Sequence, residues 1–200
     1  MPDKRIMRSI PATFETREDG GNLIIEGYFA VFNSRYEIGA GLSEVILPGA
    51  FRNTVAQDDI RALINHDTTL VIGRNKAGTL TLKEDERGLF GTIVVNPNDT
   101  DAMNCHARVE RGDVTQCSIG FDIVREETEF FDDGSIQWQI REVKLWEVSV
   151  CTFPAYEETE IEARKAEAET IKKRAADAWR AKMTKRLKGE TDGAEGIDAP

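Results

Sequence analysis

The apolar and polar positions divide the chain into two textures. Up to about Tyr156 the apolar residues come in short runs with the two-residue period of strands, separated by turn residues. "NLIIEGYFAVFN", residues 22–33, is rich in Ile, Phe, Tyr and Val, the residues that favour strands. In "DIRALINHD", Ile60, Ala62 and Ile64 alternate with Arg61, Leu63 and Asn65. "LVIGR", "TLTLKED" and "LFGTIVV" follow, divided by the turn signals "NKAG" and "ERG". "NPNDTDAMNCHARVERG" changes period: Pro97 and Asn98 end a strand, Asp99 or Thr100 caps a helix, and Gly112 stops it. A second helix is predicted in "LPGAFRNTVAQD", from Ala50 onward, after the Pro48–Gly49 turn. "VTQCSIGFDIV" reads as a strand, and "EETEFFDDGSIQWQIREVKLWEVSVCTF" as a hairpin that turns at "DDGS" before one long strand. Many short strands with few helices predict a mostly β, α+β fold. The expected form is a small, mainly antiparallel barrel, or a strongly bent sheet, with flanking helices.

After Pro154 the texture becomes charged and alanine-rich, with good helix formers throughout. Ile161, Ile171, Ala175, Trp179, Met183 and Leu187 are its sparse apolar positions, spaced by four from Ile171. Such a thin stripe suits weak pairing with a partner helix. The last residues, "GETDGAEGIDAP", are predicted to be disordered. The expected organisation is a domain over residues 1–156 and a charged helical tail over 157–200.

The 200 residues suffice for one domain with a core, plus the tail. A formal net charge of -10 excludes a general nucleic-acid binder, because neutralising phosphates needs Lys and Arg in excess. The first nineteen residues contain no apolar run of signal-peptide type and the chain has no spanning segment, so a cytoplasmic protein without membrane contact is expected. Cys105, Cys117 and Cys151 form no CxxC pair and are expected to be reduced core thiols.

Histidine is scarce, only His66 and His106. His66 lies where a strand enters a loop, a place that suits a general base and equally suits an ordinary polar loop residue. His106 sits mid-helix and reads as a helix-surface or core-edge residue. Its neighbour Cys105, with Cys117, makes only a weak zinc pattern, since no fourth ligand is evident. Glu147 lies in the apolar strand "VKLWEVSVCTF", on a face expected to carry Leu145, Ser149 and Cys151. A carboxylate there needs a partner: either an arginine such as Arg141 or Arg125, or a histidine that it orients. Ser149 would compete with Glu147 for the same space. In "CSIGFDIV", Ile119, Phe121 and Ile123 share one face, and Ser118, Gly120 and Asp122 the other. Gly120 leaves room beside the Ser118 hydroxyl for a substrate backbone. A serine needs a base to become a nucleophile. His66 can accept its proton, and Glu147 can hold the imidazole.

The ordered set "GYFAVFN", "EVILPGAF", "INHD" with "IGR" downstream, "GLFGTIVV", "CSIGF" and "LWEVSVCTFPAY" resembles the prohead (capsid-maturation) protease family of tailed bacteriophages, over roughly residues 6 to 160. The resemblance implies a serine endopeptidase without a cofactor, with a barrel similar to that of herpesvirus assemblin. The family histidine falls on His66 and its serine on Ser118. In the herpesvirus relatives the third member is a second histidine; His106 does not match that position, Glu147 is the choice made here, and Asp67 ranks below it. The implied role is to enter the assembling prohead in the host cytoplasm, cut the scaffolding segment from the major capsid protein, and then digest itself. The portal and further copies of the chain are additional partners compatible with that role. Two rivals remain at this point: a catalytically silent barrel serving as capsid scaffold or chaperone, and a metal-dependent hydrolase using His66, Asp67 and His106.

Overall fold

The computed structural model describes residues 6–11, 14–153 and 158–187. The expected disorder after Lys188 lies outside the described residues. The chain opens with β1 (Ile6–Pro11), β2 (Glu15–Asp19), β3 (Asn22–Val31), β4 (Tyr36–Gly39) and β5 (Leu42–Ile46), then α1 (Arg52–Gln57). It continues through β6 (Arg61–Ile64), β7 (Asp67–Arg74), β8 (Leu80–Glu84) and β9 (Gly88–Val94) to α2 (Thr100–Arg111). The long strands β10 (Gln116–Phe130) and β11 (Ile136–Cys151) form a hairpin, and α3 (Glu158–Leu187) follows. The fold is mostly β with helices, and mainly antiparallel.

The strands do not close into the expected barrel. Among the described residues they form a seven-stranded sheet, with the path β1-β10-β11-β5-β4, and a four-stranded sheet, β2-β3-β9-β8. The reason lies in β11. Its far edge pairs in parallel first with β5, through Ile136 to Ile140, and then with β6, through Glu147 to Val150. The large sheet therefore forks instead of curling onto itself. Those parallel partners come from about ninety residues upstream, where the local patterns that reveal hairpins carry no signal.

The main core fills the space between the sheets. Phe29, Ile25 and Ile93 of the small sheet meet Ile119, Phe121, Leu145 and Val148 of the large one. Each such side chain contributes roughly 1.5–3 kcal/mol on burial. Helix α2 adds Ala102, Cys105 and Val109 to this core, the i, i+3, i+7 face of a helix. Its ends match the sequence reading. The Asp99 carboxylate accepts from the Asp101 and Ala102 amides, and Gly112, with φ of 82°, closes the C-terminus. A smaller cluster, Ile38, Leu42, Ile136, Trp138 and Ala168, docks α3 on the far end of the hairpin.

One irregularity aims the site. Gly120 pairs with Glu147, but Phe121 pairs with Leu145, so Trp146 is an extra residue in β11. This β-bulge turns Leu145 into the main core while Glu147 points to the other face of the sheet. The expectation that Leu145 and Glu147 share a face is corrected here, because simple alternation fails across a bulge. The buried Leu145 amide at the bulge donates to Thr54 Oγ1 of α1 at 2.8 Å. Helix α1 thus satisfies a group that would be costly to bury unpaired.

Candidate active site

His66 stands at the tip of the hairpin joining β6 to β7. Ile64 pairs with Asp67, leaving a two-residue turn of Asn65 and His66. Their φ values are 50° and 60°, as a type I′ turn requires, and the second position is one that usually takes glycine. Asn65 tolerates this region through its short polar side chain. Here Asn65 also locks the turn to the end of β11: its amide donates to Val150 O, and its Oδ1 accepts from the Thr152 amide at 2.8 Å.

The turn delivers the imidazole to Glu147. His66 Nδ1 lies 2.6 Å from Glu147 Oε1. The carboxylate accepts, so Nδ1 carries the proton and Nε2 keeps its lone pair in the neutral ring. Glu147 is 2% exposed and His66 17%. The Ser149 hydroxyl donates to Glu147 Oε2 at 2.6 Å and accepts from the His66 backbone amide at 3.2 Å. Ser149 therefore does not compete with Glu147 for space, as the sequence reading had it; it binds it. The arginine alternative has no geometry. Arg141 Nε pairs with Glu127 at 2.7 Å, and Arg61, which faces Glu147 in the strand register, extends to Asp59. Among the described residues no Lys or Arg reaches Glu147.

Ser118 lies on the neighbouring strand, paired across it with Ser149. Cross-strand partners point to the same face, so Ser118, Gly120, Glu147 and Ser149 share one side of the sheet. Ser118 is fully buried and its hydroxyl donates to Arg8 O at 3.2 Å. It is not within hydrogen-bonding distance of His66 in this state. The space above Gly120, expected to receive a substrate backbone, holds the Glu147 carboxyl group, and a Cβ there would collide with it. Gly120 is thus required by the carboxylate itself.

His66 Nε2 faces Cys151 Sγ at 3.8 Å. Burial and then the Glu147 charge push the Cys151 thiol up to about 12. Cys105, likewise through burial, is pushed up to about 11. All three cysteines are free and buried. His106 is buried on α2, and its Nε2 has no partner among the described residues. Asp67 turns away from His66: its Oδ1 accepts from the Thr69 amide at 2.8 Å and from the Thr69 hydroxyl at 2.6 Å. These bonds hold its carboxyl below the usual range. No group of three His, Cys, Asp or Glu side chains able to hold a metal converges among the described residues, so His66, Asp67 and His106 do not form the ligand set of the metal-hydrolase rival. No described helix is long and apolar enough to cross a membrane. The residues that sequence reasoning missed are Thr54 and the bridging role of Ser149. Ser149 was visible as the hydroxyl two positions from Glu147; Thr54 had no local signal.

Comparison with known proteins adds three findings. The family model described as caudovirus prohead serine protease matches residues 12–174. The prohead protease of Enterobacteria phage HK97 is 34% identical over 151 residues, covering 74% of this chain and 63% of its own length. The chain thus spans a little under two thirds of that relative. The structure of the bacteriophage T4 capsid assembly protease, gp21, aligns over 75% of this chain and 98% of its own, with a TM-score of 0.48 and 12% identity.

Proposed function

From the premise that the chain belongs to the caudovirus prohead serine protease family, we propose that it is an endopeptidase of capsid maturation. Ser118 is the nucleophile, His66 the general base and Glu147 the residue that orients the ring. The observation that carries this reading is the 2.6 Å contact between His66 Nδ1 and the buried Glu147 carboxylate, with the Ser118 strand alongside. A buried carboxylate on Nδ1 fixes the tautomer that leaves Nε2 basic and stabilises the imidazolium formed when the serine gives up its proton.

The reaction is acyl transfer. Ser118 Oγ leaves its bond to Arg8 O, passes its proton to His66 Nε2 and adds to the scissile carbonyl. The tetrahedral intermediate collapses as the imidazolium protonates the departing amine, leaving an acyl-enzyme that water cleaves by the reverse proton path. No cofactor enters any step. The substrate is the scaffolding segment of the major capsid protein, cut inside the assembling prohead in the host, and then the protease itself. In this reading residues 1–156 are the proteolytic domain and 157–200 a tail for delivery into the prohead; the portal and further copies of the chain are candidate contacts there.

Cys151 is the rival nucleophile by distance alone. Its thiol, pushed up to about 12 by burial, is the opposite of an activated cysteine, whose pKa is depressed. Cys151→Ala separates the two: a serine enzyme keeps its activity, and loss of activity in a folded Cys151→Ala protein while Ser118→Ala still cleaves would support the thiol. A silent scaffold is excluded by cleavage of a capsid protein bearing its scaffolding segment, and supported if none occurs while the chain still assembles with it.

A further inference from the structure

We infer that Ser149 is a positioning residue for the His66–Glu147 pair; this rests on the catalytic reading above. Its hydroxyl closes a ring of three hydrogen bonds. The His66 amide donates to Ser149 Oγ, Ser149 Oγ donates to Glu147 Oε2, and Glu147 Oε1 meets His66 Nδ1. Each contact does separate work. The bond to Oε2 fixes the rotation of the carboxylate, so that Oε1 faces the ring. The bond from the amide anchors a histidine whose φ of 60° is strained for a residue with a side chain. With no Lys or Arg at Glu147 among the described residues, the hydroxyl is also the second polar group that makes burial of this carboxylate tolerable.

The ring also decides between two serines. Both are fully buried, but the one proton of Ser149 is committed to Glu147, and Ser149 faces the carboxylate side of the unit. It is poorly placed to attack a carbonyl. Ser118, one strand away, is held among the described residues by a single backbone acceptor. Removing the Ser149 hydroxyl leaves Oε2 and the His66 amide unpaired. The carboxylate can then rotate, and the imidazole loses its fixed aim. A misplacement of this order costs about 10²-fold in rate.

The test uses the full chain and a fluorophosphonate probe, with wild type, Ser118→Ala, Ser149→Ala and Ser149→Thr compared. The expected result for Ser149→Ala is a maximal labelling rate about 10²-fold lower with the half-saturating probe concentration unchanged. The low-field proton resonance of His66 Nδ1–H should weaken or shift, and with only two histidines a His106→Gln background assigns it. Ser149→Thr, which keeps the hydroxyl, should restore most of the rate. A folded Ser149→Ala protein with wild-type labelling and an unchanged resonance would overturn the proposal. Should Ser149→Ala not fold, wild-type hydrogen exchange decides: the ring requires protection of the His66 amide, and exchange at the rate of a free turn contradicts it. Undiminished labelling of Ser118→Ala would instead overturn the catalytic reading, and an adduct on Ser149 would overturn both.

Discussion

Strand β11 buries a carboxylate beside each of its ends, and the two are partnered in opposite ways. Near its start, across from Trp138, stands Glu44, 2% exposed. Arg8 Nε donates to one of its oxygens at 2.7 Å and Arg164 Nε to the other at 2.8 Å. Arg164 also binds Glu126 at 2.6 Å and lies 4.9 Å from the centre of the Trp138 ring. Burial works against its charge, but Glu126 and Glu44 outweigh that effect and hold its pKa above the ordinary value. Near the other end stands Glu147, equally buried, whose partners are an imidazole and a hydroxyl. Guanidinium groups are always charged, so Glu44 has fixed partners and a constant electrostatic environment. An imidazole can stand neutral or cationic. Glu147 can therefore respond to a change of charge beside it, as catalysis demands. Equal burial with unlike partners is what sets the carboxylate of the proposed mechanism apart from a structural one.

The comparison breaks most sharply at the proposed reacting groups. Ser118→Ala and His66→Ala should each lower cleavage of a capsid protein bearing its scaffolding segment by on the order of 10⁴-fold or more, and the double variant should be no worse than either single one. A summing of the two losses in a cleavage assay would show that they do not act as a unit. His106→Ala, at a residue that makes none of these bonds, should retain most of the activity.

Glu147→Gln comes next. It removes the charge that stabilises the imidazolium and no longer enforces the tautomer with a free Nε2, so cleavage should fall on the order of 10³–10⁴-fold with the melting temperature nearly unchanged. Glu44→Gln should do the reverse. It removes the buried charge that Arg8 and Arg164 share, at about 3 kcal/mol of stability, which for a chain of this size lowers the melting temperature by roughly 6–12 °C. Its folded fraction should cleave at close to the wild-type rate. Thermal melts and cleavage rates of the two variants, taken together, either preserve the contrast or erase it.

The tail gives the smallest effects. Arg164→Ala should cost about 2 kcal/mol, less than Glu44→Gln because Glu44 keeps Arg8. Truncation after Arg174 should leave the melting temperature within about 2 °C of wild type, since Trp179 is 61% exposed and makes no described core contact. A large loss on that truncation would join the distal helix to the core.

The strands, the capped helix α2 and the hairpin at "DDGS" were legible because each rests on local alternation, caps or turn residues. His66, Ser118 and Glu147 were also selectable, as a strand-end histidine, a serine beside glycine and a carboxylate in an apolar strand. The bulge at Trp146 was not, because an extra residue is defined only against the partner strand. For the same reason the sequence could not show that Gly120 makes way for Glu147, or that Thr54 serves the Leu145 amide. Of the apolar positions predicted for the tail, Ile171 packs on the sheet, while the anchors Arg164 and Ala168 lie off that stripe. Side chains at Ile161, Ala175 and Leu187 lie outside the described residues.

The most direct measurement is the site of a fluorophosphonate adduct on the intact chain, mapped by mass spectrometry after trypsin digestion. Ser118 falls in the peptide 112–125 and Ser149 in the peptide 145–164, so the two are resolved without ambiguity. The account predicts one adduct, on Ser118, that disappears in His66→Ala. An adduct on Ser149, or none on a chain that still cleaves its substrate, would contradict it.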